Sequence, residues 1–74
     1  MTINLNKIIE LKNILNEKFD IELQILDSNN RIFSIKNPNP AGIEYIRFFF
    51  EELNYKTIFN EDMTEFYAEE IRVC

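Results

Sequence analysis

The first segment of the chain has the apolar spacing of an amphipathic helix. Thr2 or Asn4 can cap its start, because short polar side chains accept hydrogen bonds from the first free backbone N–H groups. Polar residues fill the positions between the apolar ones. The pattern predicts a helix over residues 4–18, with apolar residues recurring at steps of three and four: Leu5, Ile8, Leu11 and Leu15.

Two strands joined by a polar turn are predicted after this helix. Residues 19–26 alternate between apolar and polar side chains, as do residues 31–36, and this period of two is typical of strands buried on one face. Asn and Asp dominate the segment between them, and these residues favour turns. The expected inward positions are Ile21, Leu23, Ile25, Phe33 and Ile35.

The apolar positions constrain the register of this hairpin. Directly opposed residues of an antiparallel pair point to the same face. A two-residue loop would place Ile25 opposite Ser34 and divide the apolar residues between the two faces. We therefore predict a three-residue loop over residues 28–30 that pairs Ile25 with Phe33, with Asn30 in the left-handed conformation.

A second helix and a third strand follow a break that contains two prolines. Asn39 fits the N-cap position and Pro40 the first helical position, while Asn54 suits a left-handed terminator. These signals predict a helix over residues 40–53. Residues 55–59 form a short β-prone segment, which predicts a strand.

The last segment, residues 60–74, fits either a helix or a strand. As a helix, it would gather most of its apolar side chains on one side, with acidic residues in the first turn. As a strand, it would place Tyr67, Ile71 and Val73 on one face, which Glu69 interrupts. The sequence pattern is compatible with both alternatives.

Length and composition indicate one domain. The chain has 74 residues, of which 46% are hydrophobic, so it is too apolar for disorder and too short for a second core. We predict a single α+β domain over residues 1–74. Its helix, β-hairpin, helix, strand and C-terminal strand (or helix) would form a small antiparallel sheet packed against two helices.

The chain lacks the sequence features of membrane-spanning and disulfide-bonded proteins. Its longest apolar run is residues 48–50, whereas a helix needs about 20 apolar residues to span a bilayer. Its single cysteine cannot form an intramolecular disulfide, which fits a reducing compartment. We therefore expect a cytoplasmic protein with no membrane partner.

The net charge of −5 comes entirely from the second half of the chain. Residues 1–40 contain five acidic and five basic residues, whereas residues 41–74 contain eight acidic and three basic residues. Binding to nucleic acid requires clustered Lys and Arg, so we expect no direct nucleic-acid partner. A basic protein is the partner that this charge favours.

The residues that most catalytic sites require are missing. Without histidine the chain has no Ser–His or Cys–His pair, and a single glycine excludes phosphate-binding glycine loops. The paired carboxylates at residues 61–62 and 69–70 lie on polar segments, where they are expected to be solvated. We predict that the protein is not an enzyme, with no catalytic residue, no cofactor and no metal site.

Phe48 is the one large apolar residue that lies outside the apolar arc of the second helix. At about 100° per residue, the other six fill an arc of roughly 160°. Phe48 instead lies between Glu44 and Glu52, one turn before and one turn after it. Either a neighbouring element covers Phe48, or it is an exposed aromatic with an acidic rim, as interface anchors are. The six residues of the arc are Ile43, Tyr45, Ile46, Phe49, Phe50 and Leu53.

A second candidate surface is the acidic stretch 61–70, which has five carboxylates, two aromatic residues and no base. It can be a soluble edge whose like charges prevent strand pairing. It can also be an imitation of a phosphate backbone. The predicted partner-binding residues of both regions are Glu44, Phe48, Glu52, Glu61, Asp62, Glu65, Tyr67, Glu69 and Glu70.

Four short segments carry a resemblance to a known class of proteins. Met-Thr-Ile-Asn at residues 1–4, Glu-Leu-Lys-Asn at 10–13, Asp-Ser-Asn at 27–29 and Glu-Phe-Tyr at 65–67 resemble small acidic phage-encoded anti-CRISPR proteins of the type II-A inhibitor class. Those proteins are single α+β domains that imitate DNA where a CRISPR effector nuclease reads its PAM. The lower net charge and the proline-containing break of this chain depart from that class.

The resemblance implies a function for the acidic residues. It predicts a DNA-mimicking inhibitor that acts in a bacterial host cell and occupies the basic nucleic-acid-binding surface of a partner such as a CRISPR effector nuclease. The alternative is a structural or assembly module that acts through homodimerisation. The residues to which the resemblance assigns the inhibitory role are Glu61, Asp62, Glu65, Glu69 and Glu70.

Overall fold

A computed structural model describes residues 5–71. It contains a four-stranded sheet in the order β1-β2-β4-β3, and all neighbouring strands are antiparallel. The α+β fold predicted from the sequence is confirmed, and within the last segment residues 65–70 form a strand. Thr2, Asn4 and Val73, which entered the predictions, lie outside the described residues. The elements are α1 (Leu5–Phe19), β1 (Glu22–Asp27), β2 (Ile32–Lys36), α2 (Pro40–Glu52), β3 (Tyr55–Phe59) and β4 (Glu65–Glu70).

Both helices pack against one face of the sheet and share a single core with it. At the centre of this core the ring of Phe50 from α2 lies 5.7 Å from that of Phe33 and 5.8 Å from that of Phe66. The opposite face of the sheet has no helix over it within residues 5–71. The fold therefore has two layers. Its buried apolar residues are Ile8, Leu11, Leu15, Ile21, Leu23, Phe33, Ile35, Ile43, Ile46, Phe50, Tyr55, Phe66 and Ala68.

The register predicted for the first hairpin is confirmed, whereas its loop differs from the prediction. Ile25 lies opposite Phe33, but Asp27 then lies opposite Ile32, so Leu26 is the extra residue of a β-bulge. The turn therefore contains four residues, 28–31, instead of three. Ile25 remains 40% exposed, because β1 is an edge strand.

The left-handed residue of this turn is Arg31, at φ 56°, and not Asn30 as predicted. The Asp27 carboxylate accepts hydrogen bonds from the backbone N–H of Asn29 and from the backbone and side chain of Asn30. These bonds hold Asn30 within the turn, and the next residue, Arg31, adopts the left-handed conformation instead. Arg31 Nε then donates to the carbonyl oxygen of Ala68 at 2.9 Å.

The hydrogen bonds to Asp27 predict its titration behaviour. The side-chain and backbone bonds from Asn30 hold the pKa of the Asp27 carboxyl below its ordinary value of 3.8. Since the folded pKa is lower than the unfolded one, the stability that this turn contributes is present above the unfolded pKa. It is lost as the pH falls through the folded pKa. We expect Asn30→Ala to move the Asp27 midpoint upward in an NMR titration. An unchanged midpoint would contradict this turn geometry.

Helix α2 begins and ends where the sequence predicts. Asn39 is the N-cap and its Oδ1 accepts from the backbone N–H of Gly42 at 2.8 Å, with Pro40 in the first turn. Asn54 has the predicted left-handed conformation, with φ 66°. Gly42 also permits a close approach, since a Cβ at this position would collide with Cδ1 of Ile21.

Asn39 also joins the two helices, because its Nδ2 donates to the carbonyl oxygen of Phe19 at the end of α1. We expect Asn39→Ala to lower the free energy of unfolding by about 1–2 kcal/mol, as the loss of an N-cap does. Asn39→Asp keeps the cap acceptor but loses the donor to Phe19. It should therefore lie between the wild type and Asn39→Ala in denaturant melts. Asn39→Ala with wild-type stability would contradict both roles.

Strand β4 buries the face that carries Phe66 and Ala68. The opposite face, which carries Tyr67, is the outer one, and Tyr67 is 43% exposed there. The cause is the sheet order, which puts Phe66 between Phe33 on β2 and Phe59 on β3. The ring centroids are 5.2 Å and 4.8 Å from that of Phe66, so this face of β4 joins the aromatic core.

Candidate binding surface

Phe48 lies on the side of α2 that points away from the sheet. Ile46 and Phe50 on the same helix have no solvent exposure. At about 100° per residue, Phe48 is turned by roughly 200° from Ile46. It is 58% exposed, the most of any large apolar side chain in residues 5–71. Of the two alternatives for Phe48, the structure therefore shows the exposed aromatic.

Carboxylates surround Phe48 on this helix. Glu44 and Glu52 lie one turn before and after it, Glu51 lies beside Glu52, and all three are exposed. Arg47 is the only base on this side of α2, and its guanidinium lies over the ring of Phe59, 5.6 Å from the centroid. Within residues 5–71 none of these three carboxylates forms an ion pair, because the one ion pair found there joins Lys7 and Glu10. The surface around Phe48 is consequently acidic.

The β3–β4 turn brings a further carboxylate, that of Asp62, beside the first turns of α2. The turn is held by Asn60, whose Oδ1 accepts from the backbone N–H groups of Thr64 and Glu65 at 3.0 and 3.2 Å. Met63 takes the left-handed conformation, with φ 61°. This arrangement leaves residues 61–63 exposed. The hydrogen bonds accepted by Asn60, and not burial, hold these residues in position.

A groove of about 420 Å³ lies between the first turns of α2 and this β3–β4 turn. Glu44 from the helix and Asp62 from the turn both line it, so the structure brings together two predicted residues that are distant in sequence. Carboxylates and apolar side chains thus border one cleft. The apolar residues that line it are Pro38, Pro40, Ile43 and Met63. We call the outer side of α2, this groove and residues 61–63 the α2 surface.

The other predicted residues lie elsewhere. Tyr67 lies on the open face of the sheet, between Ile32 and Ile58 on the neighbouring strands. Glu65 and Glu69 share that face, since side chains alternate along β4, and Glu69 lies opposite Lys56. We call this the open sheet face; it and the α2 surface lie on opposite sides of the molecule.

Glu70 belongs to neither surface. It lies opposite Tyr55 at the end of β4, and by alternation its Cβ points to the face of the sheet that carries the helices. The single acidic stretch that the sequence predicts over residues 61–70 is therefore divided into a turn and a strand with two faces.

Several groove residues were not predicted as site residues. Arg47, Met63 and the two prolines at the β2–α2 connection line the groove. No signal in the linear sequence joins them, because the groove forms only when residues 60–64 fold back beside α2. Phe48 was detectable because an apolar residue among carboxylates on one helix breaks a local pattern.

Two further observations concern metal binding and membrane insertion. Within residues 5–71, no three carboxylate or thiol side chains come together in an arrangement that could hold a metal ion. In the same part of the chain, neither helix is long and apolar enough to cross a membrane.

Comparison with known proteins identifies no relative of this chain. The chain matches no protein-family model, no curated protein and no solved structure.

Proposed function

We propose that this chain is a small acidic inhibitor that occupies the basic nucleic-acid-binding surface of a partner protein. A CRISPR effector nuclease in the cytoplasm of a bacterial host is the partner that the sequence resemblance suggests. The observation that carries the proposal is the meeting of Glu44 and Asp62 at one groove, next to the exposed ring of Phe48. Neither carboxylate has an ion-pair partner within residues 5–71.

The groove has the chemistry that recognises an arginine or lysine side chain. Its carboxylates at Glu44 and Asp62 would accept charge-assisted hydrogen bonds from a guanidinium or ammonium group. Its apolar residues would contact the aliphatic stem of the same side chain, as long basic residues require when they are buried. Because the same Lys and Arg side chains contact phosphates in nucleic-acid complexes, occupying them would exclude nucleic acid.

Phe48 would supply the apolar anchor of this interface. Large aromatic side chains near the centre of an interface contribute most of its binding energy when they enter a desolvated pocket, and polar residues around them exclude water. Phe48 has this setting, with Glu44, Glu51 and Glu52 around it.

The charges favour the α2 surface over the open sheet face as the binding surface. On the open sheet face Glu69 lies opposite Lys56 and Glu22 lies opposite Lys36, so these two acids have a base on the neighbouring strand, whereas Glu65 lies opposite Ser34. On the α2 surface Arg47 is the only base, and it lies over an aromatic ring. The positive surface of a partner is therefore attracted mainly to the helix side.

Displacement of DNA tests the proposal. A type II-A CRISPR effector nuclease loaded with guide RNA is the probe, and fluorescent double-stranded DNA with a matching PAM is the reporter. We expect the protein to lower DNA binding in fluorescence anisotropy by competition. The effect should weaken as salt rises, because exposed charges are screened. DNA binding that is unchanged at low salt, with the protein in large excess, would contradict the proposal for this nuclease.

A further inference from the structure

Strand β1 lies at a free edge of the sheet, and its outward backbone groups can be identified. Ile35 N donates to Thr64 O at 2.7 Å, and Ala68 N donates to Arg31 O at 3.0 Å, so the odd-numbered residues of β2 bond to β4. Backbone bonds alternate in direction along an antiparallel strand, so the even-numbered residues of β2 bond to β1. Before the bulge, the partners of Lys36 and Ser34 on β1 are Glu22 and Gln24.

It follows that Leu23 and Ile25 direct their N–H and C=O groups away from the sheet. Within residues 5–71 no strand lies beside them. An unpaired edge of this kind is a template for another strand, and proteins usually protect it with Lys, Pro or a bulge. Residues 22–27 contain neither Lys nor Pro, and the bulge at Leu26 lies near the end of the strand.

Apolar side chains are exposed along this edge. A groove of about 390 Å³ runs between α1 and β1, and Ile9 and Ile25 line it while remaining 47% and 40% exposed. Leu26 on β1 and Leu5 on α1 are 53% and 56% exposed. Four of the eight exposed large apolar side chains in residues 5–71 therefore belong to these two elements.

The other edge of the sheet differs. On β3 the exposed residue is Lys56, and none of the large apolar side chains of that strand is among the exposed ones. Lysine on an edge strand discourages pairing, because its charge would have to be buried or opposed. The two edges therefore differ in both charge and apolar exposure, and only the β1 edge favours strand addition.

We propose that β1 pairs with β1 of a second copy of this chain, so that two four-stranded sheets form one continuous sheet. In the symmetric antiparallel register, Gln24 lies opposite Gln24 of the second copy, which places Leu23 opposite Ile25 and Glu22 opposite Leu26. No carboxylate then faces another carboxylate, and apolar residues meet on the helix side. The outward groups of Leu23 and Ile25 acquire partners in this register.

The distribution of charge along the chain favours a second copy as the partner of the β1 edge and not of the β3 edge. Residues 1–40, which include α1 and β1, carry equal numbers of acidic and basic residues, whereas residues 41–74 carry the whole excess of negative charge. Two copies that approach through their β1 edges therefore repel each other least. Since α2 packs on β3 at the other edge, this dimer leaves both α2 surfaces accessible and is independent of the inhibitory proposal.

Molecular mass at rising concentration tests the dimer. We expect sedimentation equilibrium of the full chain to move from 8.9 kDa towards twice that mass across the micromolar to millimolar range. Gln24→Lys would place two ammonium groups opposite each other and should weaken dimerisation by roughly ten-fold or more. Ala41→Lys adds the same charge to an exposed position on α2 and is the matched control, expected to dimerise like the wild type.

A mixing experiment tests the register itself. Gln24→Lys and Gln24→Glu should each be weak dimers alone, and should form a heterodimer when mixed. Hydrogen exchange of the Leu23 and Ile25 amides should also slow with concentration, whereas that of Gln24, already bonded to β2, should not change. A monomer at every concentration would overturn the proposal. Dimerisation insensitive to Gln24→Lys, or no heterodimer on mixing, would also overturn it.

Discussion

Phe50→Ala is expected to lower the free energy of unfolding by about 3–5 kcal/mol, the usual cost of removing a buried aromatic ring. Phe50 has no solvent exposure, and its ring lies within 6 Å of those of Phe33, Phe49 and Phe66. The ring of Phe50 therefore joins α2 to the two central strands, β2 and β4. Small domains have little stability in reserve, so much of the Phe50→Ala population should be unfolded.

Phe48→Ala is the matched control for this prediction, because it removes the same ring two positions away on the same helix. Phe48 is 58% exposed and contributes no buried contact to the core. Its replacement should change the free energy of unfolding by no more than about 0.5 kcal/mol. Denaturant melts of both variants measure the difference. Equal losses of stability in the two variants would show that the orientation of α2 is wrong.

Phe48→Ala should have a large effect on binding although its effect on stability is small, because it removes the proposed anchor of the interface. We expect its dissociation rate from the guide-loaded effector nuclease to rise by roughly thirty-fold. This corresponds to about 2 kcal/mol, the lower limit for an interface hot spot. The association rate should change little, since most effects of interface mutations appear in dissociation. Surface plasmon resonance with the immobilised nuclease complex measures both rates.

Tyr67→Ala provides the comparison on the other side of the molecule. Tyr67 is 43% exposed on the open sheet face, so its removal also deletes an exposed aromatic ring. We expect both rate constants of Tyr67→Ala to match those of the wild type. Fast dissociation of Tyr67→Ala together with normal dissociation of Phe48→Ala would place the partner on the open sheet face instead.

The parts of the fold that could be predicted from the sequence depend on local signals. Asn39 and Pro40 define the start of α2 through a cap and a fixed φ angle, both of which act within a few residues. The pairing of Ile25 with Phe33 could be predicted because a shift of one residue would move the apolar side chains of a strand to the other face.

The parts that could not be predicted depend on contacts between distant segments. The pattern of apolar and polar residues along β4 is compatible with burial of either face. The choice is made by Phe66, which stacks between Phe33 and Phe59 of the two neighbouring strands. The groove has the same origin, since it joins Glu44 on α2 to Asp62 in a later turn. Such relations require the order of the strands, which a single sequence does not reveal.

Two double charge reversals, compared in one binding experiment, test the proposed surface most directly. Glu44→Lys with Asp62→Lys changes the groove, and Glu65→Lys with Glu69→Lys changes the open sheet face by the same total charge. Association rates with the guide-loaded nuclease at low salt are the measurement, after melts have shown that both variants fold. We predict that the groove reversal slows association by roughly ten-fold or more, and that the sheet reversal has a much smaller effect. Equal slowing by both reversals, or greater slowing by the sheet reversal, would contradict the assignment of binding to the α2 surface.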